Sequence, residues 1–136
     1  MKNSGISLLI LGTISLFACN TNNTAETAQL LVGRWELVQA LRNGSPTESL
    51  AELYFEFTAD GKLMTNITGV PEEGTYELKK EQLLQRNTQI DADYTIEEIA
   101  DSSLTLTTNL RGYSFQFDLK KSGAGGADTT QQGDMQ

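Results

Sequence analysis

Histidine is absent from the 136-residue chain, and cysteine occurs once, as Cys19. These two scarcities exclude more chemistry than anything else in the sequence. A zinc site of the usual His/Cys kind has no ligands to draw on. Neither a Ser-His-Asp nor a Cys-His catalytic arrangement can be assembled. A lone cysteine also rules out an intramolecular disulfide, even in an oxidising compartment that would allow one. Basic residues are few, 10 against 18 acidic, for a formal net charge of −8. That imbalance argues against nucleic acid as a partner and gives no help toward anionic headgroups. It reads most simply as charge that keeps the domain soluble. A long apolar run is missing as well. Ile6–Phe17 (ISLLILGTISLF) would rise about 18 Å as a helix, against a hydrocarbon core of roughly 30 Å.

What that run does fit is export. Lys2 supplies a charged start, Ile6–Phe17 an apolar centre and Ala18 a small residue before a cut, the parts of a secretory signal. Residues 1–18 are therefore expected to be removed. The segment Leu16-Phe17-Ala18-Cys19 resembles the lipobox of bacterial lipoproteins. The resemblance implies that the Cys19 thiol receives a diacylglyceryl group, that the peptide before it is cut, and that the new amine is acylated. Several acyl chains together give stable anchoring, where one is marginal. Residues 19–29 then read as the lipidated cysteine and a polar tether. Asn20 stands where an aspartate would resemble an inner-membrane retention signal, and Thr21-Asn22-Asn23-Thr24 lacks an acidic run resembling a surface-export signal. The expected address is the outer membrane, facing the periplasm.

From Arg34 onward the pattern is one of strands. Alternate residues of a strand share a face. Trp35, Leu37 and Leu41 share one parity, with Gln39 as the polar exception. Tyr113, Phe115, Phe117 and Leu119 alternate with Ser114, Gln116, Asp118 and Lys120 in the cleanest strand of the chain. Eight strands are predicted, at roughly 33–41, 53–58, 62–68, 74–80, 82–87, 93–99, 103–109 and 112–121, with Asp60-Gly61 as a tight hairpin. Thr47–Leu53 alone has the composition for a turn or two of helix. The tail 122–136 and the stretch Thr21–Ala28 are expected to be unstructured. The folded domain spans 30–121, and its class is all-β: an eight-stranded up-and-down antiparallel barrel, which leaves no exposed edge. If the first strand runs up, the longest connections fall at the upper end and only tight ones at the lower, which describes a cup.

Gly33-Arg34-Trp35, Phe57 to Gly61 (Phe-x-x-Asp-Gly) and Gly74 to Tyr76 (Gly-x-Tyr) occur in an order and spacing that resemble the short lipocalin-like domains of bacterial lipoproteins. The resemblance implies a barrel base sealed by Trp35 under a cation beyond the last strand. In this sequence the cation is lysine, at Lys120-Lys121, where lipocalins carry arginine.

Strand direction assigns Arg42, Asn43, Arg111 and Tyr113 to the open end. Arg42, Tyr94, Arg111 and Tyr113 are the candidate ligand contacts, since an arginine at an apolar mouth can pair with a carboxylate or phosphate. Gly33, Trp35 and Lys121 form the candidate base. Alternation predicts that Glu97 and Glu98 point to opposite faces, so at most one enters a cavity. No calcium-loop spacing follows Asp60 or Asp91, so neither metal nor cofactor is expected. Two readings stay open. The aromatics either line a pocket for a small apolar or amphipathic ligand, or fill a barrel too narrow to hold one. The first makes the chain a lipid-anchored, non-enzymatic ligand binder. The second makes it a protein-interaction lipoprotein that docks an envelope partner through its loops.

Overall fold

The computed structural model describes residues 23–123. The expected signal, Cys19 and all but the first two residues of the expected tail lie outside them. The elements, in order, are helix α1 (Asn23–Leu31) and strands β1 (Gly33–Arg42), β2 (Ser45–Thr47), β3 (Tyr54–Phe57), β4 (Lys62–Thr65), β5 (Glu72–Lys79), β6 (Gln82–Arg86), β7 (Ala92–Ile99), β8 (Ser103–Leu110) and β9 (Tyr113–Lys121). Each of β3 to β9 pairs antiparallel with its sequence neighbour. β1 pairs with both β3 and β9, so eight strands close into a barrel with β2 as a tab on β1. The closing ladder runs from Trp35 opposite Lys121 to Arg42 opposite Phe115.

Two bulges reset the alternation on which sequence reading relies. In β1, Leu37 faces Leu119 and Gln39 faces Asp118, so Val38 is the extra residue. Beyond it Ala40, not Gln39 or Leu41, turns inward opposite the buried Phe117. In β7, Glu97 is the extra residue between Ile96 and Glu98. Glu97 and Glu98 are both exposed as a result, and the expectation of opposite faces fails. A bulge leaves one residue unpaired and shifts every later side chain by one place.

The tether expectation is also corrected, because residues 23–31 are helical. Nine residues make a marginal helix alone; tertiary contacts hold this one. Leu31 is fully buried in the core, and the Trp35 indole N–H donates to its carbonyl at 2.9 Å. Glu26 in the first turn suits the positive end of the helix dipole. Thr47–Leu53 contains turns and no helix. The segment predicted as a strand over 62–68 ends at Thr65, and a turn carries Ile67 back into the core.

Among the described residues the centre of the interior is tightly packed. Trp35, Phe55, Leu63, Leu83, Tyr94, Leu106 and Phe117, from seven of the strands, each have 0% of their surface exposed. None of them therefore touches a void that admits water. Phe55 is the hub: its ring lies 6.0 Å from Phe57, 5.5 Å from Tyr94 and 6.4 Å from Phe117, centroid to centroid. Offset and edge-on pairs at these separations stabilise beyond their buried area.

Candidate functional site at the barrel mouth

β1 runs toward the upper end and β9 runs away from it, which places Arg42 and Tyr113 on one rim. Both strands meet there through two-residue turns. Asn43-Gly44 joins β1 to β2 and Arg111-Gly112 joins β8 to β9, with φ positive at all four residues, the geometry that matches the twist of a tight hairpin. The two turns are locked together: Asn43 N–H donates to the Ser114 carbonyl at 2.7 Å, and Ser114 N–H donates to Asn43 Oδ1 at 2.9 Å. Asn-Gly is a strong hairpin signal, and it could have revealed β2, which the strand pattern missed.

Register then fixes the side chains. Arg42 is paired with Phe115, and Tyr113 with Leu110. The Arg42 guanidinium lies 5.2 Å from the centroid of the Tyr113 ring, within cation–π range. Tyr113 is 45% exposed, and its ring meets Phe115 edge-on at 6.4 Å. Phe115 in turn stacks on the buried Phe117 at 5.7 Å. A short aromatic ladder thus climbs out of the core and ends under a cation at the rim.

The other candidate contacts are elsewhere. Arg111 is exposed in its turn, with φ positive. Tyr94 is buried below the mouth; its hydroxyl donates to Gln85 Oε1 at 2.9 Å. Gln85 Nε2 is bonded to the Thr88 hydroxyl and the Ile90 carbonyl of the overlying loop. Burial pushes the Tyr94 phenol well above its ordinary pKa.

The far side of the rim is laced shut. Glu72 accepts from the Thr68 hydroxyl at 2.7 Å and from Gln89 N–H at 2.8 Å, tying two loops together. Asn66 does the same for a third, accepting from Tyr54 N–H and donating to the Glu52 carbonyl. The spacing of polar residues in the sequence gives no hint of either clasp.

At the base, Lys121 Nζ sits 5.0 Å from the Trp35 ring centroid and donates to the Leu30 carbonyl at 2.8 Å. Gly33 has φ +131°, and a Cβ there would come within 3.2 Å of Lys121 Cε. Glycine is needed both for the backbone and for the lysine. Among the described residues no three acidic or cysteine side chains gather as a metal-binding set, and no helix is long and apolar enough to cross a membrane.

No protein-family profile matches the chain, and no curated protein does. Among solved structures, the chain is similar to a lipocalin-like protein from Bacteroides uniformis. The identity is 18%, the TM-score is 0.52, and the match covers 68% of this chain and 98% of that one. The closed eight-stranded antiparallel meander, with Trp35 at its base, is by fold a lipocalin-like barrel.

Proposed function

We propose that this chain is a lipid-anchored, non-enzymatic binding module of the cell envelope. Its ligand is a small amphipathic molecule with an anionic head, held at the mouth of the barrel and not in its interior. One observation carries the reading. A guanidinium lies over an exposed aromatic ring, and both crown a core with no room for a guest. An aromatic shelf receives an apolar body, while arginine receives a carboxylate or phosphate by paired hydrogen bonds. The anchor is assigned to Cys19 on the strength of the Leu16–Cys19 segment, and the outer membrane on the strength of Asn20.

Native mass spectrometry of the full chain released from its own envelope tests both parts. The wild-type chain should carry acyl mass on Cys19 and a second, non-covalent lipid-sized mass. Arg42→Ala with Tyr113→Ala should lose the second mass and keep the first. Cys19→Ser should leave the membrane fraction with the domain still folded. Retention there, or loss of the fold, overturns the anchor.

The solid interior also favours a second reading, in which a filled barrel docks an envelope protein through its upper loops. Val70, 51% exposed in the β4–β5 loop, would join Tyr113 in that contact. A protein partner in place of the lipid mass would support it.

A further inference from the structure

Helix α1 lies across the lower end of the barrel. Its last residues are bound there, Leu30 to Lys121 and Leu31 to Trp35. Its first turns share a groove with the β5–β6 turn and the end of β7. Asn20, Thr21 and Asn22 are all that separate Cys19 from this helix. The chain from Cys19 to Asn23 reaches at most about 14 Å when fully extended. β1, by contrast, is ten residues long, about 33 Å of strand, or roughly 25 Å of barrel height after the usual tilt. An anchored barrel standing mouth-down would carry Asn23 farther from the bilayer than that chain extends.

The cations are sorted along the same axis. Every lysine among the described residues lies at the lower end: Lys62 opens β4, Lys79 and Lys80 lead into the β5–β6 turn, and Lys120 and Lys121 close β9. Lys121 is engaged by Trp35 and Leu30, and Lys62 by Glu73. Lys79, Lys80 and Lys120 are exposed and form no ion pair among the described residues. A lysine stem can lie along a surface and leave its ammonium free to bind phosphate. Glu26, Glu81 and Glu98 are exposed at this end too. The mixture matches a zwitterionic layer, which offers ammonium as well as phosphate, better than an anionic one.

We infer that the lower end of the barrel is a membrane-facing surface. It is seated on the zwitterionic phospholipid headgroups of the bilayer that holds the anchor, with Lys79, Lys80 and Lys120 on phosphate. This rests on lipidation of Cys19 as proposed above. The mouth then opens away from that bilayer and takes its ligand from the aqueous side.

Nitroxide labels on the full acylated chain test this, one at Ser102→Cys in the β7–β8 turn and, in a separate sample, one at Val70→Cys in the β4–β5 loop. The vesicles are phosphatidylethanolamine and phosphatidylcholine, with gadolinium chelated to a fraction of the headgroups. The metal should relax the label at position 102 at least fivefold faster than the label at position 70. Lys79→Gln, Lys80→Gln and Lys120→Gln together should cut that ratio at least twofold, because the barrel is then free to lean. Equal relaxation of the two labels, faster relaxation at position 70, or a ratio unmoved by the triple variant overturns the inference. Intact mass of the same samples keeps the anchor separate. Any of those results on a chain acylated at Cys19 overturns the orientation alone, and a chain without acyl mass overturns the anchor and the orientation together.

Discussion

Lys121 and Trp35 are opposite one another in the closing ladder, and one lysine nitrogen serves two partners. It lies 5.0 Å from the indole centroid and 2.8 Å from the Leu30 carbonyl at the end of α1. The helix has no basic residue in its own last turn, so a strand from the far end of the chain supplies the cation that its C-terminal dipole favours. Lys121→Met keeps the stem and removes the charge. It should destabilise the fold by about 1–3 kcal/mol, the sum of a cation–π contact and a charged hydrogen bond. Urea unfolding followed by Trp35 fluorescence measures this, and Lys121→Arg should restore most of the loss.

The buried Tyr94–Gln85 pair makes stability pH-dependent on the alkaline side. The folded phenol holds its proton above the ordinary value of 10.0 because burial disfavours the phenolate. In the unfolded chain it ionises near that value. Above about pH 10 the folded state therefore binds more protons than the unfolded one, and stability falls as pH rises. Tyr94→Phe should flatten that decline. At neutral pH it should cost about 1–3 kcal/mol, because Gln85 Oε1 is left buried without its donor. Denaturant midpoints at pH 7 and at pH 10.5 check both halves.

Asp60 works at the acid end. Its pKa is lowered chiefly by the Thr58 hydroxyl; desolvation opposes this, and its own backbone N–H and Lys62 add smaller lowering effects. A lowered carboxylate pKa gives stability that is full above the unfolded value and is lost as pH falls through the folded one. Thr58→Val should raise the Asp60 pKa toward the ordinary range, read by carboxyl NMR titration. The pH-dependent part of its stability loss should vanish in strong acid. A carboxyl titration unchanged by the substitution would show that Thr58 is not the cause.

Gly74 marks the tightest backbone approach in the barrel. A Cβ there would sit 2.5 Å from both the Arg86 carbonyl oxygen and Thr88 Cγ2. Gly74→Ala should cost about 1–3 kcal/mol through overpacking, whereas Gly44→Ala meets no atom within 4 Å and strains only its own turn. Thermal melts of the two variants compare crowding with turn strain.

The barrel itself was readable because eight segments alternate and tight turns separate them. What escaped reading has physical causes. The bulges at Val38 and Glu97 leave no mark in composition, since an extra exposed residue costs little where it stands and acts only on the phase beyond it. Helix α1 escaped because its stability resides in Trp35 and Lys121, and not in its own polar residues. Arg42 and Tyr113 were assigned to the same rim by strand direction alone, but their contact depends on Phe115 holding the register between them. Tyr94 is a candidate ligand contact in the sequence, and in the fold its side chain is fully buried with its hydroxyl on Gln85.

The bond between Lys121 and Leu30 joins residues 91 apart in sequence, and this separation sets a time order. The base cannot seal until the last strand is present, so a chain still being synthesised has a full-length β1 with no partner for its outer edge. Non-local closure of this kind belongs to the slower folding regime, milliseconds to seconds. During that interval the unpaired edges of β1 and β8 invite pairing between chains. The domain is thus vulnerable as a newly made chain and protected as a closed one, and the interval ends when Lys121 reaches Trp35.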